Sequence, residues 1–142
     1  MNVPAIDTHS DALCDVLQAT ALLARRGQKP EGGGWQGAAG QSAFKAYLIL
    51  HTLPGMLDGP VADANADLDG VWQVTAVGAT QEQCEKAADL ARTALLTQTI
   101  TIASRAVDRI SVDQLNGTRR DDTVQPPVWI STDRFRLATT PA

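Results

Sequence analysis

Residues 71 to 96 read VWQVTAVGATQEQCEKAADLARTALL, and this stretch limits the fold more than any other. Val71 to Val77 alternate and favour β structure, which predicts a strand. Gly78 permits a tight turn. Thr80 is a good helix N-cap, and Gln83 three residues on completes a capping box. The following helix gathers Cys84, Ala87, Ala88, Ala91, Ala94 and Leu95 on one face. That face is nearly all alanine, so the helix can lie close against a sheet. Glu82 and Lys86, one turn apart, form a favourable exposed pair.

The other elements are arranged around this unit. Residues 8 to 26 read as a helix, with Leu13, Val16, Leu17, Thr20 and Ala24 at helical spacing and Leu23 widening the stripe. Asp11 falls in its first turn, Arg25 and Arg26 in its last, and Gly27 is the expected stop. Residues 27 to 43 contain PEGGGWQGAAGQS, too rich in glycine for a regular element, and predict a long mobile loop. Trp35 stands alone in it. It either tucks back onto its own domain or anchors a partner, as aromatic side chains do at interfaces.

FKAYLILHTL, residues 44 to 53, predicts a strand ended by Pro54 and Gly55. A second long loop, residues 54 to 70, carries four aspartates and no Lys or Arg. Arg105 to Leu115 alternates weakly as a strand, Asn116-Gly117 signals a turn, and Val128 to Ala138 is a last strand. The expected fold is α+β, a single domain over residues 1–142 with two helices packed on a mixed, mainly antiparallel sheet.

A chain of 142 residues supports one hydrophobic core. Its aromatics are few, so alanine, valine, leucine and isoleucine must fill that core. The net charge of -4 argues against a nucleic-acid footprint, which would be basic. Arginines gather towards the C-terminus, but aspartates interleave with them. Cys14 and Cys84 fall in predicted helices and read as buried free thiols. The N-terminus shows no basic segment followed by an apolar run, and no stretch is long enough to span a membrane, so synthesis in the cytoplasm is expected.

Catalytic patterns are weak. AIDTHSDAL, residues 5 to 13, superficially resembles the Asp-x-His entry of metal-dependent amidohydrolases, but that chemistry needs several converging ligands. The only other histidine is His51. Helix capping by Asp7, Thr8 or Ser10, with His9 on the surface, is the simpler reading. DANADLDG, residues 63 to 70, resembles the opening of a calcium loop read from Asn65. Its twelfth position is Ala76 where a glutamate is required, and 71 to 77 reads as strand. A solvated loop or polar interface is the reading for this segment. No nucleophile elbow or phosphate loop is present. Neither a metal nor a cofactor is expected, and the chain reads as a non-enzyme.

Together, VWQVTAVGAT leading into QEQCEKAADLARTAL, the acidic GPVADANADLDG before it and the closing VWISTDRFRLATTP resemble the tail terminator proteins of long-tailed bacteriophages, of the actinobacteriophage type. The resemblance runs from about Tyr47 to Pro141 and includes the N-terminal helix. It rests on the order of segments, and the glycine-rich residues 31 to 40 have no counterpart in it. It implies a small α+β subunit assembling into a ring, a hexamer in that family. The ring caps the tail tube, ends its polymerisation and offers a surface to the head connector.

The implied partners are other copies of the chain, the major tail tube protein and a connector or head-completion protein. The location is the virion neck, assembled in the host cytoplasm, with no membrane or sequence-specific nucleic acid bound. The alternatives are another neck or tail-tube component of related fold, or a small adaptor module. The candidate interface residues are Trp35, Asp63, Asp67, Asp69, Arg119, Arg120, Arg134 and Arg136. The expectation is that the aspartate loop faces the arginine-bearing strands of a neighbouring subunit.

Overall fold

A computed structural model describes residues 3–142. Helix α1 (Ile6–Gln18) is followed by β1 (Leu23–Arg26), the short strands β2 (Gly34–Trp35) and β3 (Phe44–Lys45), then β4 (Tyr47–Asp58) and β5 (Asp67–Gly78). Helix α2 (Gln81–Thr97) leads to β6 (Arg105–Val107), β7 (Ser111–Asp121) and β8 (Val128–Pro141). The main sheet runs β1-β4-β5-β8-β6, with β7 also paired to β8. Only β1 and β4 are parallel, so the fold is α+β on a mixed, mainly antiparallel sheet.

Alternation divides the sheet into two faces. Leu68, Trp72, Val74 and Ala76 of β5 are buried on one face, with Phe135 and Leu137 of β8. Leu13 and Leu17 of α1 and Ala87, Ala88, Ala91 and Leu95 of α2 complete this core. The opposite face carries Ile49, His51, Gln73, Thr75, Thr132 and Arg134, all half-buried.

The strand–turn–helix unit forms as its residues dictate. The Thr80 hydroxyl accepts the Gln83 N–H at 3.1 Å, and the Gln83 Oε1 accepts the Ala79 N–H at 2.7 Å. The reciprocal bond therefore reaches one residue further back than in a standard capping box. The predicted alanine face is the buried face. Glu82 and Lys86 pair at 2.9 Å. Gly78 is required by close approach, because a Cβ there would lie 2.5 Å from the Cys84 nitrogen.

Elsewhere the structure corrects several expectations. The first helix ends at Gln18 and does not reach residue 26. The Thr20 hydroxyl and N–H both donate to the Leu17 carbonyl and close the last turn. Residues 23–26 instead pair in parallel with Tyr47–Leu50, which buries Ala24. Helical propensity yields here to a tertiary pairing. The helix begins at Ile6 without a side-chain cap, so Asp7, Thr8 and Ser10 lie within it.

The glycine-rich segment is not wholly irregular. It contains the β2–β3 ladder, in which Trp35 pairs with Phe44. Pro54 and Gly55 do not end β4 either. They form a bulge between Leu53 and Met56, beyond which Met56–Asp58 pair with Asp67–Asp69. Proline is tolerated there because β1 flanks β4 only as far as Leu50, leaving that edge open. A Cβ on Gly55 would meet the Asp69 carbonyl at 2.8 Å. The expected loop of residues 54–70 thus contracts to a turn between Asp58 and Asp67, containing a 3-10 turn at Val61–Asp63.

Asn116-Gly117 is likewise a bulge inside β7 and not a chain reversal. The register shifts between Leu115 and Thr118, and Gly117 takes φ 68°. Asn116 Nδ2 donates to the Thr132 carbonyl at 2.6 Å and holds the bulge to β8.

Candidate interaction surfaces

The predicted interface residues do not converge on one site. Trp35 tucks back: its ring meets Phe44 edge-on at 5.0 Å, and Phe44 lies near Tyr47 at 6.2 Å. Gln83 Nε2 donates to the Phe44 carbonyl at 2.8 Å, so the short hairpin is fastened to the start of α2. Asp63 lies in the 3-10 turn, and Asp67 and Asp69 open β5.

Asp69 reaches an arginine within its own chain. Its carboxylate lies 3.3 Å from Arg136 Nε, because β5 and β8 are neighbours in register. Asp113 approaches the same guanidinium at 3.8 Å. Arg120 pairs with Asp122 at 2.7 Å. Arg119 is exposed on β7. Arg134 stands on the open sheet face between Gln73 and Gln114, with its Nε buried and without a hydrogen-bond partner. Asp69 and Arg136 therefore join two strands of one sheet.

Two polar clusters escaped the sequence reading. His9, expected on the surface, is completely buried and stacks on Trp72 with ring centroids 6.3 Å apart. Its Nδ1 lies 2.7 Å from the Ala5 carbonyl and its Nε2 lies 2.7 Å from Thr139 Oγ1. Thr139 Oγ1 also accepts from Arg105 Nε at 3.2 Å and Nη2 at 3.1 Å. With both lone pairs used, the threonine hydroxyl donates its own hydrogen to Nε2. Nδ1 then carries the imidazole proton and donates to Ala5, so His9 is neutral. Burial lowers its pKa, and the Arg105 charge adds to that shift.

The neighbouring Ser10 hydroxyl accepts from Trp72 Nε1 at 2.9 Å and shares a hydrogen bond with Thr52. The second cluster pairs Asp133 of β8 with Arg92 of α2 at 3.3 Å, the aspartate side chain being only 6 % exposed. The alternation of β8 is the signal that could have found Asp133, since it shares a face with Phe135 and Leu137.

Neither thiol is poised for attack. Cys14 and Cys84 are buried and free, as predicted. Burial raises both pKa values, that of Cys84 to about 11, so both are protonated at neutral pH. Nucleophilic chemistry needs the thiolate.

What the surface does offer is apolar side chains on two open strands. Met56 is 69 % exposed at the end of β4, with Leu57 beside it and Val61 wholly exposed on the turn. Across the sheet, edge strand β7 exposes Val112 and Leu115. No known protein family and no curated protein matches this chain.

Proposed function

We propose that this chain is a structural virion protein of the tail-terminator type, forming a ring on the phage tail tube. The ring would end tube polymerisation and present a surface for head attachment. The observation that carries this reading is the placement of exposed apolar residues on opposite margins of one sheet. The β4–β5 hairpin tip lies at one margin and β7 at the other. Different patches on opposite margins suit a heterologous contact, and such contacts close rings when the rotation allows.

The interior supports a structural role. The buried polar groups of His9, Ser10 and Asp133 tie α1 and α2 to the sheet and make a rigid subunit. The test is direct imaging and native mass spectrometry of the purified protein, alone and with tail tubes. Closed rings, free or capping tube ends, are the expected result. A strict monomer in both settings, unable to bind tubes, overturns the reading. Infection with a phage lacking the gene should yield overlong tails without heads.

A further inference from the structure

The two ends of β4 carry complementary surfaces. At one end the β4–β5 arm exposes Met56, Leu57 and Val61. Residues 54 to 70 around them hold four aspartates and no Lys or Arg. At the other end lies a groove of about 400 Å³ between the α1–β1 link, the β3–β4 junction and α2. Leu22, Ala46, Ala87 and Leu90 form its apolar floor, and Lys45 and Lys86 stand at its margin. Lys86 is engaged by Glu82, but Lys45 makes no ion pair among the described residues.

We propose that the β4–β5 arm of one subunit docks in this groove on a second copy of the chain. The inference rests on the ring-forming reading and gives the arm this groove, in place of β7, as its partner surface on the next subunit. The arm brings apolar side chains flanked by carboxylates. The groove offers an apolar floor flanked by ammonium groups. Burying Val61 and Met56 removes apolar surface from water, and Asp58 or Asp63 comes within reach of Lys45. Donor and acceptor are separated by a twelve-residue strand, roughly 40 Å at the usual rise. No subunit can satisfy its own groove across that span. The contact is therefore between subunits and runs head to tail.

The arm is suited to this role. Beyond Leu50 β4 has no strand on its outer side, so the arm presents an open β4 edge, while its β5 side is backed by β8 from Leu68 onward. The Pro54-Gly55 bulge sets its angle. It also interrupts the open edge, which disfavours indiscriminate strand pairing.

Cysteine cross-linking of assembled protein tests the proposal. Val61→Cys and Leu90→Cys proteins are made separately, mixed and oxidised; the native thiols are buried and do not compete. A covalent heterodimer formed on mixing, and not by either variant alone, is expected. In parallel, Val61→Asp and Lys45→Glu should each raise the concentration for half-assembly about tenfold or more, by burying a charge without a partner. Circular dichroism of these surface variants should match the wild type.

If wild-type assemblies persist, no heterodimer forms and Val61→Asp assembles normally, the docking is overturned and the ring reading stands. If the wild type does not assemble with or without tail tubes, both are overturned.

Discussion

A single hydroxyl proton links α1 to the last strand. The Thr139 hydroxyl spends both lone pairs on Arg105 and its hydrogen on His9, so the hydroxyl has no bonding capacity to spare. Replacing Thr139 with valine keeps the shape and removes every one of these bonds. The orphaned imidazole nitrogen should cost about 1–3 kcal/mol, read by urea denaturation, while Arg105 Nη2 keeps its bond to the residue 139 carbonyl. Protonating His9 does related damage, because Nε2–H then meets a hydroxyl with no lone pair left. Its native pKa lies below the ordinary 6.5. The unfolded chain therefore binds the proton first, and stability is complete above about 6.5 and falls as pH drops below it. The carboxylates with lowered pKa, Glu82 and Asp121, titrate well below that window. A His9→Gln variant should unfold more easily at neutral pH and lose the slope between pH 5 and 6.5. An unchanged slope would assign it to another group.

At the scale of elements, α2 was legible because its signals are local. Thr80, Gln83 and the alanine stripe all lie within one short segment, and no distant residue overrules them. Thr80→Ala should cost about 1 kcal/mol by loss of the cap. Gly78→Ala should cost more, since a methyl there would run into the backbone of Cys84 rather than a flexible side chain. Comparing the thermal midpoints of the two variants checks that order. β1 was not legible, because Leu23 to Arg26 continue a helical pattern and become a strand only when Tyr47–Leu50 lie beside them. The same pairing brings Arg26 back over the helix start, where it bridges Asp7 at 2.9 Å and Asp11 at 2.6 Å. Helical periodicity alone puts that arginine at the helix C-terminus. Pro54-Gly55 and Asn116-Gly117 are turn signals that became bulges, because the flanking strands continue in register on either side. His9 escaped for a different reason. Its burial depends on a threonine and an arginine roughly a hundred residues away or more, and no local pattern announces them.

For the whole molecule, the decisive property is whether folding and assembly are coupled. An assembly contact binds only the folded subunit, so it stabilises that state by mass action. Above the association threshold, stability should rise by up to about 1.4 kcal/mol for each tenfold in concentration, when each subunit adds one contact. Tm should therefore increase with protein concentration in the wild type. Val61→Asp removes an apolar side chain that touches nothing in the isolated subunit, as its complete exposure shows. Its Tm at low concentration should equal that of the wild type, while its dependence on concentration should flatten. Added salt should weaken wild-type association by screening the pairing of the arm aspartates with Lys45, over a Debye length of about 8 Å at physiological ionic strength. The apolar part of the contact persists, so the loss should be partial. A Tm independent of concentration in both proteins would mean that folding gains nothing from neighbours.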